Sequence, residues 1–212
     1  MKLYSFFNSS ASYRVRIALA LKGLDYRALP INLIRDGGEH RQPEYLSLNP
    51  QGRLPALRTD EGELLIQSPV ILEYLEERYP QPPLLPSNLE ARARQRAVAA
   101  LIGCDIHPLH NASVINRLRG LGFDEAQVQA WIGHWVRSGL DAVEQLIGDE
   151  GWCFGELGMA DIYLLPQLYS ARRFKVDLDG LPRILRVEAM AAEHPAFRQA
   201  HPDVQPDTPG SA

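Results

Sequence analysis

Cysteine is scarce in this sequence. Its 212 residues contain two, Cys104 and Cys153, and neither belongs to a C-x-x-C pair. A framework of disulfides is thereby excluded, as is dithiol redox chemistry, and the usage fits a reducing compartment better than a secreted one. A surplus of one charge sign is also missing: 22 Lys and Arg stand against 26 Asp and Glu, a formal net charge of -4. That balance gives no electrostatic reason to bind nucleic acid. No apolar run approaches the roughly 20 residues that span a bilayer, so no membrane partner is expected. The first residues lack a basic region, apolar segment and cleavage site in succession, so no leader is expected and the cytoplasm is the expected compartment. Internal repeats and low-complexity tracts are absent as well. Apolar residues are plentiful at 45%, enough for one or two domains with a sizeable core.

Pattern divides the chain in two. Leu3 to Phe7 reads as a buried strand, and Val15, Ala18, Leu19 and Leu21 as a helix closed by Lys22 and Gly23. Tyr26 to Leu33 predicts a strand that Pro30 confines to a sheet edge. Pro43 to Leu48 suits a short helix, a strand follows Pro55, and Leu64-Leu65-Ile66 makes another. Ser68 as N-cap with Pro69 at the first helical position starts a helix carrying Ile71, Leu72 and Leu75. The proline cluster Pro80 to Pro86 is the expected linker. Beyond it everything reads helical. Leu89 to Leu118 is one long pattern broken at Pro108, and Asp124 with Gln127 forms a capping box for a helix reaching about Ile147. Met159 to Tyr169, Pro182 to Ala192 and a short piece from Pro195 complete the helices. The tail from Pro202 to Ala212, rich in Pro, Asp and Ser, is expected to be poorly ordered. Residues 1–80 thus form an α/β domain, 81–87 a linker and 88–212 an all-α domain.

One stretch stands out within that plan. Ser9, Ser10 and Ser12 lie on the turn from the first strand into the first helix, where unpaired N–H groups and the positive end of the helix dipole converge. Small hydroxyls there can cap the helix, hold an anion or stabilise a thiolate. On local sequence alone, capping is the first expectation. Ser68 repeats the arrangement at a second helix start.

An N-terminal βαβ-ββα unit joined by a proline linker to a helical domain resembles the glutathione transferase superfamily, with its thioredoxin-like first domain. Ser9-Ser10-Ala11-Ser12-Tyr13-Arg14-Val15-Arg16-Ile17-Ala18-Leu19 is similar to the S-S-C-S-W-R-V-R-I-A-L signature of the zeta class, whose best-known activity is maleylacetoacetate isomerase. Ile31 to Gly38, Asn49-Pro50, Leu54-Pro55, Gln67-Ser68, Asp105 to Leu109, Arg173 to Leu178 and Gln205 to Pro209 extend the match from end to end. The departures are Ala11 for Cys and Tyr13 for Trp, and neither removes a serine. A third is Gly158, where the superfamily usually has the Ser or Thr of an S/T-x-x-D helix cap.

The resemblance implies glutathione as cofactor and a homodimer. Leu54, before a proline that is cis in this superfamily, would pair its backbone with the cysteinyl unit, and Gln67 with Ser68 would hold the γ-glutamyl carboxylate. Ser9, Ser10, Ala11 and Ser12 would face the sulfur, with Ser10 the leading thiolate partner and Ser9 second. His40 would face the glycyl end, while His107, His110 and Asn111 would close the site. Arg173 would anchor a substrate carboxylate, although Arg172 beside it leaves open which of the two faces the site. The implied substrate is a maleyl-type oxo acid: maleylacetoacetate first, maleylpyruvate as the nearest alternative. A broader glutathione-conjugating activity stands behind both.

Other readings of the same residues are weaker. His107 and His110 are separated by Pro108, which disturbs ligand spacing, and no ligand cluster accompanies them, so no metal is expected. Trp131 and Trp135 read as packing rather than as a stacking platform.

Overall fold

The computed structural model describes residues 1–210; Ser211 and Ala212, the end of the expected disordered tail, lie outside the described residues. The chain forms two compact units. One comprises Met1–Pro83 together with the chain from Glu193 onward, and the other runs Leu84–Ala192. The helical region predicted to reach residue 212 is therefore divided, its last stretch belonging to the first unit.

In the first unit, β1 (Lys2–Ser5) is followed by α1 (Ser10–Leu21), β2 (Arg27–Pro30), α2 (Pro43–Leu46), β3 (Ala56–Arg58), β4 (Leu64–Ile66) and α3 (Ser68–Arg78). The sheet order is β2-β1-β3-β4, with β1 parallel to β2 and antiparallel to β3. Pro30 does sit on an edge strand, where its missing N–H costs no ladder bond. This is the predicted thioredoxin-like arrangement. Its core joins Leu3 and Leu57 of the sheet to Val15, Ile17 and Leu19 of α1 and to Ile71, Leu72 and Leu75 of α3. Lys22, read as a helix-closing residue, also binds the ends of two elements: its Nζ reaches Glu76 at 2.8 Å and the carbonyls of Tyr79 and Pro82 at 2.6 and 2.9 Å.

The expected disorder of the tail is corrected for its described part. α9 (Pro195–Ala200) packs on α1, and beyond it the Asp207 carboxylate accepts the Phe7 N–H at 2.8 Å. Thr208 Oγ1 donates to Pro202 O at 2.5 Å. Composition suggests a solvated tail, but Asp207 finds a partner at the far end of the chain and Thr208 one within the tail itself.

The second unit contains α4 (Leu89–Ala100), α5 (Ala112–Gly120), α6 (Glu125–Leu146), α7 (Met159–Arg173) and most of α8 (Pro182–Glu193). The predicted capping box of α6 is present, Asp124 with Gln127. The break at Pro108 is wider than expected. A π-helical segment, Leu101–Ile106, precedes a 3-10 turn, His107–His110, before α5 begins. A Cβ on Gly139 of α6 would lie 2.3 Å from Ile106 Cγ1, so the bare glycine admits this bulged segment. Among the described residues, no helix is long and apolar enough to cross a membrane.

Gly158, the departure at the start of α7, has a tertiary explanation. Its φ of −157° suits any residue, so backbone conformation does not require glycine. Space does: a Cβ there would lie 2.6 Å from Nε2 of Gln95, a buried side chain of α4. Gln95 Oε1 accepts the Ala160 N–H at 2.8 Å, while Asp161 Oδ2 accepts that of Gly158 at 2.8 Å. A glutamine from another helix thus does the capping that a Ser or Thr at 158 would do. Gly158→Ala and Gln95→Ala are each expected to cost about 1–2 kcal/mol, the typical value of a lost cap. Gly158→Ser combined with Gln95→Ala should recover most of it, because hydroxyl and space then arrive together. Urea denaturation of the three variants checks the cycle.

Candidate active site

Sheet register brings distant segments of the first unit to one edge. Tyr4 pairs with Ala56, and Ala56 with Ile66. The end of β1, the start of β3 and the end of β4 therefore share that edge. Just beyond them lie the serine turn, Leu54-Pro55 and Gln67-Ser68.

At the serine turn, Ser9 is the N-cap, with φ −81° and ψ 114°, and its Oγ accepts the Ser12 N–H at 3.2 Å. Of the three serines at this turn, Ser9 provides the cap and Ser12 does not. Ser12 is fully buried inside the first turn, and its Oγ has no hydrogen-bond partner among the described residues. Ser10 is the first helical residue and is 7% exposed. The N–H groups of Ser10 and Ala11 lie where no preceding helical carbonyl can accept them, so dipole and donors meet at this point. Cap and candidate thiolate partner are thus separate residues.

Leu54-Pro55 is cis. The carbonyl just before it, on Arg53, accepts from Tyr45 Oη at 2.7 Å and from Asn49 Nδ2 at 2.8 Å. Burial pushes the Tyr45 phenol up to about 12, which keeps it a donor over the whole working range. The peptide leading into Leu54 is thereby anchored.

α3 begins one residue earlier than Ser68 as N-cap implied: Gln67 takes the cap position and Ser68 is the first helical residue. Gln67 has φ 73° and ψ 120°, a conformation that costs a non-glycine residue about 1–3 kcal/mol and clusters at functional sites. Its amide Nε2 donates to Gln51 Oε1 at 2.6 Å. Ser68 Oγ accepts from Arg14 Nη1 at 3.4 Å.

His40 lies in a 3-10 turn, Glu39–Arg41, with Nδ1 buried. A Cβ on Gly38 would come within 2.3 Å of the imidazole, so the ring takes space that only glycine leaves. Burial first, and the neighbouring Arg41 charge second, hold His40 below its ordinary value of 6.5. At neutral pH it offers a neutral hydrogen-bonding ring rather than a cation. The unfolded chain then binds more protons than the folded one below about pH 6.5, so this stability is present above that pH and falls as His40 is forced to protonate. His40→Gln should flatten the acid side of the stability profile between pH 7.5 and 5, measured by urea midpoints.

In the second unit, His110 is buried, with Nε2 3.2 Å from Gln167 Oε1 and 3.0 Å from its Nε2. Its ring meets His107 edge-on at 5.6 Å and Phe174 at 5.7 Å. Asn111 is the N-cap of α5, its Oδ1 accepting from Ser113 N at 3.1 Å. Arg172 is committed to Glu188, with Nε–Oε1 at 2.7 Å and a second contact through Nη2. Arg173 instead lies over the Phe174 ring at 4.8 Å. Trp131 donates its Nε1–H to Leu109 O at 2.8 Å, a packing role as expected. Cys153 is buried and its thiol pushed up by desolvation, so thiol chemistry is not available there.

The chain is similar to known proteins along its whole length. Residues 8–78 match the glutathione S-transferase N-terminal domain family. The maleylacetoacetate isomerase of Pseudomonas aeruginosa is 73% identical over all of this chain and all of its own. The holo structure of a maleylpyruvate isomerase, a bacterial zeta-class glutathione transferase, superposes with a TM-score of 0.93 at 47% identity, covering 98% of this chain and 100% of that one. A glutathione-bound maleylacetoacetate isomerase from Anaeromyxobacter dehalogenans gives 0.89 at 40% identity, covering 98% and 97%. The chain belongs to the zeta class of the glutathione transferases.

Several supporting groups of this zeta-class chain escape a reading of its sequence. Tyr45 and Asn49 behind Leu54, Gln51 beside Gln67, and Arg14 beside Ser68 all act through tertiary partners. The motif Asn49-Pro50 and the serine signature pointed at two of them without saying what they hold. Tyr45 had no signal at all, because its partner carbonyl is defined only once the loop is folded.

Proposed function

We propose that the chain is a glutathione-dependent cis–trans isomerase that converts maleylacetoacetate to fumarylacetoacetate. The observation that carries this is the 73% identity, end to end, with an isomerase of that name. Glutathione is the cofactor, as in the glutathione-bound family structure. Its thiolate adds to one carbon of the cis double bond, and the electron pair moves to the conjugated carbonyl as an enolate. The former double bond, now single, rotates. The enolate electrons return, the sulfur leaves, and the trans isomer results with no net change in atoms or charge.

Each step asks something of particular residues. Ser10, with the first-turn N–H groups of α1, stabilises the thiolate; Ser9 caps that turn. Leu54 pairs with the cysteinyl backbone, Gln67 and Ser68 hold the γ-glutamyl carboxylate, and His40 meets the glycyl end. Arg173 anchors a substrate carboxylate, a role for which Arg172 is less suited because Glu188 already holds it in a two-point pair. His107 faces the ligand, with His110 and Asn111 holding its segment in place. The enzyme works as a homodimer in the cytoplasm, a setting consistent with two free cysteines.

Maleylpyruvate is a second candidate substrate, favoured by the 0.93 superposition with a maleylpyruvate isomerase. The test is conversion of each maleyl compound with glutathione present and omitted. Fast conversion of maleylacetoacetate only with glutathione supports the proposal. Equal rates without glutathione, or no conversion with it, would sink it, and a higher kcat/KM for maleylpyruvate would transfer the assignment.

A further inference from the structure

Arg14 has no part in the proposed chemistry, yet the residue is only 2% exposed, within α1. Charged groups are seldom buried so completely without a task. Its Nη1 reaches across from α1 to α3 and donates to Ser68 Oγ at 3.4 Å. Ser68 is itself buried, at the first helical position of α3, and Pro69 after it has no N–H to offer. The first turn of α3 is therefore short of one backbone donor, and the Ser68 hydroxyl matters more for holding an anion there. A serine hydroxyl has one proton and two lone pairs. When a guanidinium occupies a lone pair, the proton is left to point elsewhere, and the bond polarises the hydroxyl into a stronger donor.

We infer that Arg14 is a positioning residue for the carboxylate end of glutathione, acting through Ser68: it sets the direction of the hydroxyl and places a desolvated positive charge behind it. The inference rests on the proposed assignment of Ser68 to the γ-glutamyl carboxylate. It assigns Arg14 no contact with the ligand and no part in the reaction at sulfur.

The test is a double-mutant cycle read by calorimetric binding of two thiols to the full chain. Glutathione carries the γ-glutamyl carboxylate, and cysteinylglycine does not. Arg14→Met should weaken glutathione about tenfold, the scale of one hydrogen bond to a charged group, and leave cysteinylglycine within about twofold. Ser68→Ala should do the same, and the double variant should lose scarcely more than either single one. Saturating glutathione should restore kcat in all three, so the defect appears in KM. Arg14→Lys retains the cation and should keep more glutathione affinity than Arg14→Met, and Arg14→Leu, which also removes charge and donor, stands in for Arg14→Met in the cycle if the latter does not fold. Full additivity, or equal weakening of both thiols, overturns the inference. If wild-type protein binds both thiols equally well, it is the assignment of Ser68 that fails instead.

Discussion

Ser10→Ala is expected to lower turnover at saturating glutathione about 100- to 1000-fold, the loss typical of removing one donor aimed at a reacting anion. Its unfolding midpoint should barely move. The separation follows from the geometry of the turn. Ser9 Oγ makes the capping bond to Ser12 N, so Ser10 is not needed to close the helix start. Ser9→Ala should show the opposite balance, a stability loss of about 1 kcal/mol with a smaller effect on rate. The decisive readout is the ultraviolet titration of bound glutathione. In Ser10→Ala its thiol should titrate closer to the unperturbed value of about 8.5. A variant that keeps both turnover and the depressed titration would shift the thiolate role to the backbone N–H groups of Ser10 and Ala11.

Arg16→Met is expected to be the most damaging single change to the fold, costing about 3–5 kcal/mol as buried acceptors lose a charged donor. Arg16 is 2% exposed and its hydrogen bonds include Nε to Ala200 O at 3.0 Å, Nη1 to Ser5 Oγ at 3.2 Å and Phe6 O at 3.3 Å, and Nη2 to Phe7 O at 2.9 Å. Its guanidinium also lies 5.3 Å from the centre of the Tyr13 ring. Methionine fills much of the volume but strands three carbonyls without this donor. Arg16→Lys should fall between the two, since a single ammonium cannot span the same acceptors. Urea denaturation gives the magnitude, and limited proteolysis should show cleavage near α9 before cleavage elsewhere. Uniform proteolysis would mean that Arg16 stabilises the unit without specifically holding that segment.

These two arginines differ in how their surroundings account for them. Arg16 binds the exit of β1 to the C-terminal segment, through Ser5, Phe6, Phe7 and Ala200. Arg14, two residues earlier and therefore on another face of α1, points to the start of α3. Neither role follows from the motif, which presents both simply as members of one run.

Local rules were enough for much of the architecture. The order of strands and helices, the edge position of β2, the capping box of α6 and the short helix after Pro43 all follow from side-chain period, proline geometry and caps, which act over a few residues. Features that depend on distant partners were not accessible that way. Gln95 capping α7 from α4, the tail held through Asp207, and the π-helical segment admitted by Gly139 are each produced by a neighbour far along the chain.

The same division runs through the active site. By itself the sequence determined that three hydroxyls would stand at a helix start and that a serine would open α3, because each depends on adjacent residues. Only the tertiary structure decided that Ser9 caps while Ser10 does not, that Arg172 is engaged by Glu188, and that buried arginines stand behind the turn. The physical reason is that hydrogen-bond partners saturate. A donor or acceptor already satisfied is no longer available for ligand, and which ones are satisfied depends on groups that folding alone brings within about 3 Å.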